Sequence, residues 1–378
     1  MQKQYLLAPG PTPVPPRVLQ AMALPIVHHR APAYKEIFAE VREGLRYLFQ
    51  TEQEVLVFAS SGTGAMEGTI INLFSPGDKV IAVRGGKFGE RWSDLGKTYG
   101  LEVIDIDVEW GQAVKVAEIA AILEREGDVR AVLMQASETS TGVMHPVKEV
   151  ADLTREREDT LIVVDAITGV GVFALPMDEW GLDVVVTGSQ KALMLPPGLA
   201  FAALSPKAWK FNQRSTLPRY YFDFAKELKN AEKGQNAYTP AVSLIVGLRE
   251  VLAMIREETL AGVHARHARL AAAMRAGVTA LGLELFAPDS PSDAVTAVKA
   301  PAGIDGQEVV KVLRGLGVTI AGGQDHVKGK IFRLAHLGYA GDFDVLTGLA
   351  ALETALAKLG YDLAGRSGVA AAREIFQQ

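Results

Sequence analysis

The sequence predicts an α/β protein: a large domain with a mostly parallel sheet, followed by a smaller C-terminal α+β domain. The main observation is a series of short apolar segments that alternate with stretches of helical periodicity. These segments are Glu54–Ala59, Lys79–Val83, Val129–Met134, Thr160–Val164 and Asp183–Thr187. Strands that are apolar on both faces and separated by helices are typical of a parallel sheet covered on both sides. The length of 378 residues also favours more than one hydrophobic core.

Residues 1–20 are predicted to form an N-terminal arm. Prolines occupy positions 9, 11, 13, 15 and 16. Because proline fixes φ and removes a backbone donor, we expect the first sixteen residues of this arm to be extended and to contain neither a strand nor a helix.

The large domain is predicted to span residues 21–255 and the small domain residues 256–378. Residues 206–240 are interpreted as a long irregular connection with helical pieces. A helical region follows over residues 241–281, with a break near Gly262. The small domain is expected to contain helices near 305–315 and 342–359, and its predicted strands are Leu283–Phe286, Ala294–Lys299, Val318–Ala321 and Ile331–Leu334.

Composition excludes several classes of function. The net charge of −5, with both signs interspersed, disfavours a nucleic-acid partner, and no apolar run has the length of a membrane span. The early prolines interrupt any signal-peptide core, so we expect a cytoplasmic protein. The sequence contains no cysteine, which excludes disulfides, thiolate nucleophiles and cysteine-ligated metals. His264 and His267 are interpreted as part of a solvated helix face, so no metal site is predicted.

A glycine-rich turn follows the first apolar segment of the predicted sheet. Ser61-Gly62-Thr63-Gly64 precedes a helix that we expect to begin near Met66. The free N–H groups and the dipole at such a helix start favour a phosphate. The turn lacks the ending of a P-loop, and its glycine spacing differs from the dinucleotide fingerprint. On its own, the pattern fits an ordinary tight turn equally well.

A carboxylate and an amine follow two successive apolar segments. Asp165 comes directly after Thr160–Val164, and Lys191 lies four residues after Asp183–Thr187. Ligands bind outside the carboxyl ends of parallel strands, so we expect both side chains in one crevice. Separately, the two residues fit a partly buried ion pair. Together with the phosphate turn, they predict pyridoxal phosphate, which needs a lysine for its Schiff base and an acidic partner for its ring nitrogen.

The sequence resembles the class V aminotransferases of the alanine–glyoxylate, serine–glyoxylate and serine–pyruvate group. The matching motifs extend over nearly the whole chain and are Ala8–Pro13, Ser61–Gly64, Ser137–Val143, Val163–Ala166, Gly188–Leu193 and Pro196–Gly198. This resemblance implies a fold-type-I architecture and a homodimer with active sites at the subunit interface.

The resemblance also assigns roles to residues. It implies that the cofactor is contacted by Thr63, Gly64, Ala65, Phe88, Ser140, Asp165, Gln190, Lys191 and Thr239. Phe88 stands where many relatives have a stacking tryptophan, and Ser140 matches the residue near the phenolic oxygen of the cofactor. Thr239 matches a phosphate contact from the neighbouring subunit. The tyrosine that often precedes this threonine is not matched, because its place by spacing is Asn236, with Tyr238 nearby.

Arg333 matches the arginine that binds the substrate α-carboxylate. A planar guanidinium at a strand end presents two parallel donors, which suits a carboxylate. Lys191 and Asp165 are the predicted catalytic residues.

These features together predict transfer of an amino group from L-alanine or L-serine to glyoxylate or pyruvate. Ureidoglycine–glyoxylate, 2-aminoethylphosphonate–pyruvate and aspartate specificities remain open, because His29, Arg30 or Arg219 would supply a second cation if it reached the site. Cysteine desulfuration is excluded by the absence of cysteine. A nicotinamide dehydrogenase leaves Asp165 and Lys191 unexplained. A non-catalytic subunit of a complex is a further alternative.

Overall fold

The computed structural model describes residues 3–378 as an α/β protein. Its strands are β1 Tyr5–Leu6, β2 Val55–Ser60, β3 Lys79–Arg84, β4 Glu102–Asp107, β5 Val129–Gln135, β6 Ser137–Glu138, β7 Val143–Met144, β8 Leu161–Asp165, β9 Val184–Gly188, β10 Gly198–Leu204, β11 Val295–Lys299, β12 Val318–Thr319, β13 Ala321–Gly322 and β14 Ile331–Ala335.

The α-helices alternate with these strands over most of the chain. They are α1 Pro16–Met22, α2 Pro32–Phe49, α3 Gly62–Leu73, α4 Lys87–Thr98, α5 Val116–Arg125, α6 Val147–Thr154, α7 Met177–Trp180, α8 Pro206–Arg214, α9 Phe224–Ala231, α10 Val242–Glu258, α11 Leu260–Ala280, α12 Gly306–Gly315, α13 Asp342–Lys358 and α14 Gly368–Phe376. A short 3₁₀ helix covers Asp325–Val327.

The central sheet has seven strands in the order β2-β10-β9-β8-β5-β3-β4. The β3, β4, β5, β8 and β9 strands pair in parallel, whereas β10 runs antiparallel to both of its neighbours. All five predicted apolar segments are strands of this sheet. The mostly parallel sheet is therefore confirmed.

Alternate residues of the sheet pack into two cores, one on each face. On β5, Val132 and Met134 point to one core, and Ala131 and Leu133 point to the other. This alternation follows from the two-residue period of a strand. Helix α3 is buried on nearly all sides because it lies over the middle of one face.

The N-terminal arm differs from its prediction. Tyr5 and Leu6 form a strand that pairs in parallel with β12, and helix α1 begins at Pro16. The strand forms because the first proline comes only at position 9, so the backbone donors before it are free to pair. The helix forms because proline is tolerated in the first helical turn, where its missing N–H has no partner to lose.

Helix α3 begins at Gly62 rather than near Met66, because the glycine-rich turn is itself the first helical turn. The predicted break near Gly262 falls at Thr259, which has φ of +66° and accepts a hydrogen bond from Gly262 N at 3.1 Å. His267 does not lie on a solvated face. It is fully buried, its Nδ1 bonds Val263 O at 2.8 Å, and its Nε2 accepts from Gly338 N at 2.9 Å.

The C-terminal third forms a separate core over the three-stranded sheet β11-β14-β13. The predicted strand Leu283–Phe286 is reduced to an isolated bridge between Leu285 and Val298, and Val318–Ala321 is divided between two sheets. Buried residues up to Val263 of α11 join the first core, and those from Leu270 onward join this one. The domain division at residue 255 stays a prediction. Between residues 3 and 378, no helix has the length and apolar character needed to cross a membrane.

A buried ion pair ties β9 to α8 at the edge opposite the strand carboxyl ends. The Asp183 carboxylate accepts from Ile162 N at 3.0 Å, from Ser205 Oγ at 2.8 Å and from Lys207 Nζ at 3.0 Å. Lys207 Nζ also donates to three backbone carbonyls, including Thr160 O at 2.8 Å. The buried charges of Asp183 and Lys207 therefore neutralise each other.

We predict that Lys207→Met lowers the free energy of unfolding by about 3–5 kcal/mol, because it leaves the Asp183 carboxylate buried without a cation. The cost should shrink as pH falls, since protonation removes the uncompensated charge. Urea denaturation at several pH values measures this. Lys210→Met is the matched control on the same helix. Its partner Glu158 is exposed, so its loss should be within about 1 kcal/mol. Equal losses for the two variants would contradict the prediction.

Candidate active site

An open cavity lies at the carboxyl ends of the sheet strands, where ligands bind in parallel α/β sheets. It is lined by Ser61, Gly62, Thr63, Phe88, Arg91, Ser137, Thr139, Asp165, Ile167, Thr168, Gln190 and Lys191. Five residues predicted from the sequence meet here. They are Thr63, Phe88, Asp165, Gln190 and Lys191.

Asp165 is the last residue of β8 and is only 5% exposed. Its Oδ1 accepts from Ile167 N at 2.9 Å. Burial raises the pKa of this carboxyl to about 7, and the Glu138 carboxylate adds to the rise. The Ile167 N–H, Arg91 and Lys191 act in the opposite direction. In the cavity, Asp165 therefore exchanges a proton near neutral pH.

Lys191 lies in the turn between β9 and β10, beside Asp165 on the neighbouring strand. Burial lowers the pKa of its amine to about 8, opposed by the Asp165 carboxylate and reinforced by Arg333 and Arg91. A lysine with this pKa holds a substantial neutral fraction near physiological pH. It is then both a nucleophile and a proton carrier.

The N-terminal arm closes over the lysine turn. Lys191 Nζ donates to Pro9 O at 2.5 Å, and Thr12 Oγ1 donates to Lys191 O at 2.8 Å. Gly10 has φ of +132°, and a Cβ there would lie 2.3 Å from Lys191 Nζ. The position thus requires glycine both for its backbone conformation and for space. The proline-rich motif therefore packs directly against the Lys191 side chain and its turn.

The predicted phosphate turn forms the first turn of α3. Ser61 precedes the helix in an extended conformation, and among the described residues its side chain caps no backbone N–H. Thr63 lines the cavity, whereas Gly64 and Ala65 lie in the helix and do not. The Gln190 Oε1 atom is buried and has no hydrogen-bond partner within residues 3–378. The helix N–H groups suit an anion, whereas the Gln190 oxygen can only accept a hydrogen bond from a donor.

Glu138 is a central residue that sequence reasoning missed. It is fully buried and accepts from Phe88 N at 3.0 Å, Gly89 N at 2.9 Å and Ser140 Oγ at 2.5 Å. Burial raises its pKa. Its bonds fix the start of α4 and with it the position of Phe88. Its place in the Ser137–Val143 motif was the available signal.

Ser140 lies behind the cavity. Its hydroxyl donates to Glu138 Oε1 and accepts from Lys87 N. The neighbouring Thr139 lines the cavity instead. A one-residue difference of this kind follows from the tight turn that joins β6 and β7. The contact between Ser140 and the cofactor stays a prediction, and the place of Thr139 in the cavity lining favours that residue in the role.

Arg333 lies on β14 and is 5% exposed. Its Nε and Nη2 donate to Gly322 O at 3.0 and 2.7 Å, and its Nη1 donates to Thr139 O at 2.6 Å. Burial lowers its pKa to about 10, so it stays a cation at neutral pH. It does not line the cavity, and its role toward the substrate carboxylate stays a prediction.

Thr239 lies in a different pocket, together with Tyr238 and Tyr221. Asn236 is buried there and bonds Tyr34 at 2.5 Å and Glu227 at 3.0 Å. The Asn236 side-chain amide is therefore already hydrogen-bonded within its own chain. The contact of Thr239 with a second subunit stays a prediction.

The three candidate second cations are not among the cavity-lining residues. Arg30 donates to the side chain of Gln235 and to the backbone at Asn236, and Arg219 donates to Ile71 O and Asn212 O. His29 also lies outside the lining. Arg91, which sequence reasoning missed, does line the cavity. Its spacing of three residues from Phe88 on a predicted helix was the available signal.

Comparisons with known proteins give matches over nearly the whole chain. A family model described as aminotransferase class-V matches residues 4–338. A protein named soluble hydrogenase, small subunit, from Synechococcus sp. strain PCC 6716 is 44% identical over 99% of this chain and 98% of its own length. The L-aspartate–glyoxylate aminotransferase of Paracoccus denitrificans is 38% identical over 99% of this chain and 96% of its own.

Among solved structures, ureidoglycine–glyoxylate aminotransferase from Bacillus subtilis superposes with a TM-score of 0.94. It is 31% identical, and the alignment covers 100% of this chain and 99% of that one.

We predict that covalent attachment of pyridoxal phosphate to the cofactor-free protein accelerates with pH up to about 8 and then levels off. Only the neutral amine of Lys191 is a nucleophile, so the rate should rise roughly tenfold per pH unit below the midpoint. Stopped-flow absorbance measures it. Asp165→Asn should move the midpoint to lower pH, because it removes the anion that raises the lysine pKa. A midpoint above about 10, as for a lysine in water, would refute the assignment.

A second prediction concerns the arm. Gly10→Ala should weaken cofactor attachment about tenfold, because its Cβ collides with the Lys191 amine in a backbone region unfavourable to alanine. Gly77→Ala is the matched control: Gly77 also has positive φ, but its Cβ would meet open space. It should lower stability by about 1–2 kcal/mol and leave attachment unchanged. Absorbance titration and thermal melting give both readouts. Unchanged attachment in Gly10→Ala would contradict the role of the arm.

Proposed function

The chain belongs to the class V aminotransferases, and we propose that it transfers the amino group of L-alanine or L-serine to glyoxylate or pyruvate. Its cofactor is pyridoxal phosphate and its architecture is that of the fold-type-I enzymes, as in the similar solved structures. The observation that carries the proposal is the convergence of Lys191 and Asp165 in one cavity beside the start of α3.

The residues present fit this cofactor. The N–H groups at the start of α3 suit its phosphate, and Phe88 offers an aromatic wall for its ring. When bound, pyridoxal phosphate supplies a ring that accepts the electrons left when the substrate Cα–H bond breaks. Asp165 would hold the proton of the ring nitrogen, and Lys191 would hold the cofactor.

Lys191 is also the proposed proton carrier. With a pKa of about 8, its amine takes a proton from the substrate Cα and returns one without a large mismatch to neutral pH. Its bond to Pro9 O confines the amine to the cavity. A base that is already positioned in the site avoids the entropy cost of bringing a base from solution to the substrate.

Arg333 is the proposed partner of the substrate α-carboxylate. Three of its five N–H groups bond Gly322 O and Thr139 O, which holds the guanidinium plane in place. The remaining donors suit a carboxylate. Arg30 and Arg219 are bonded elsewhere, so a donor with a small uncharged side chain is favoured over a dicarboxylic one. L-Aspartate is the second candidate, favoured by the name of the Paracoccus relative.

A non-catalytic role in a hydrogenase complex is the alternative raised by the name of the Synechococcus relative. The sequence has no cysteine and thus no thiolate ligand for a redox centre. The buried lysine and aspartate carry a desolvation cost that catalysis explains and a scaffolding role does not.

We further propose a cytoplasmic homodimer. Thr239 and Tyr238 line a pocket of their own beside Tyr221, and the adjacent Tyr220 is 77% exposed. An exposed aromatic cluster of this kind suits a subunit interface. The proposal is that this face adjoins the active site of the partner.

We predict that the purified protein shows a visible absorption band that L-alanine or L-serine bleaches without any added 2-oxo acid. Glyoxylate or pyruvate should then restore the band, because half of the amino transfer is complete before the acceptor binds. Lys191→Ala is the control, which should show no bleaching on the same timescale. Bleaching by L-aspartate alone would favour the second candidate. A band that none of these amino acids bleaches would refute the proposed substrates.

A further inference from the structure

Arg91 is a cavity-lining cation without an anionic partner. It lies on α4 one turn after Phe88, half-buried, with its Cζ 5.0 Å from the centroid of that ring. Its Nη1 donates to Thr63 Oγ1 at 3.0 Å. Within residues 3–378 it makes no ion pair with a carboxylate. The charge of Asp165 is near enough to be influenced by Arg91, but the two do not pair.

The other cations at the site are already hydrogen-bonded to backbone carbonyls. Arg333 is held by two backbone carbonyls, and Lys191 bonds Pro9 O. A half-buried guanidinium with one neutral acceptor keeps unused donors and an uncompensated charge. The site of Arg91 therefore suits an anion that arrives with a ligand.

The position of Thr63 indicates which anion this is. It belongs to the first turn of α3, where free N–H groups and the helix dipole favour a phosphate. The Arg91 guanidinium is bonded to the hydroxyl of this same residue, so it lies at the phosphate end of the cavity. Phosphate oxygens accept two parallel bonds from a guanidinium, which makes the pair stronger than one with a neutral donor.

We propose that Arg91 binds the phosphate group of pyridoxal phosphate, as a cation supplied by the same chain that holds the cofactor lysine. The inference rests on the proposed function only through the cofactor and is independent of the choice of amino acid.

The test is an equilibrium titration of cofactor-free protein with pyridoxal phosphate and, separately, with pyridoxal, which lacks the phosphate. Both attach through Lys191, so the comparison isolates the phosphate contact. In Arg91→Gln, the Kd for pyridoxal phosphate should rise about 10-fold to 100-fold. The Kd for pyridoxal should change by less than about 2-fold, because no phosphate contact is lost. Arg91→Lys should lie between, since it keeps the charge but loses the planar fork.

Lys97→Gln is the matched control on the same helix. Lys97 pairs with Asp105 at the surface, so both Kd values should stay at those of the parent protein. Inorganic phosphate gives a second readout: it should tighten pyridoxal binding in the parent protein and leave Arg91→Gln unaffected. Pyridoxal binding in each variant also reports that the lysine pocket is intact.

Two results would overturn the inference. Equal loss of affinity for both compounds would make Arg91 a structural support of the pocket. An unchanged Kd for pyridoxal phosphate, with a raised KM for L-aspartate alone, would assign Arg91 to a substrate carboxylate. The titration needs no turnover. A phosphate-selective loss would therefore uphold the inference even if none of the proposed amino acids bleached the visible band.

Discussion

The site depends on a carboxylate and an amine that share a poorly hydrated cavity at the ends of two adjacent strands. Burial moves both pKa values toward neutrality, that of Asp165 up to about 7 and that of Lys191 down to about 8. Each group would be easier to bury if it were neutral or tightly paired. The sheet positions them because β8, which ends at Asp165, and β9, which leads into the Lys191 turn, are packed on both faces. The fold thereby stabilises two groups with shifted pKa values, which proton transfer requires.

The remaining parts of the molecule surround this pair. The N-terminal arm places Pro9 and Gly10 against the amine, while Leu7 of the same arm is buried in the C-terminal core. The arm thus connects the lysine turn to the small sheet. That sheet contributes Arg333, whose guanidinium bonds Thr139 O at the cavity wall. Glu138 fixes the start of α4 and with it Phe88 and Arg91. Residues distant in sequence thereby become one site.

Much of the sheet was predictable because its strands are apolar on both faces, a pattern that few other structures produce. The predictions that differed most from the structure concerned the ends of elements and the short strands. The strand at Tyr5–Leu6 forms only because β12 offers a partner, whereas the pairing of Leu283–Phe286 with β11 is limited to a single bridge at Leu285. His267 looked like a surface residue by spacing, yet α11 is packed along its length and buries it. Pairing and burial of this kind depend on distant segments, which local patterns do not encode.

The sequence by itself placed Lys191, Asp165 and the glycine-rich turn at one edge of the sheet, because each follows a buried strand and parallel strands bring their carboxyl ends together. It also determined that no thiolate takes part. Tertiary structure alone decided that Thr139 rather than Ser140 lines the cavity, that Glu138 anchors α4, and that Arg91 is the additional cation at the site. The physical reason is that a side chain's exposure and hydrogen-bond partners depend on the packing of segments far apart in the chain. The spacing of residues within one segment predicts only where its strand or helix ends.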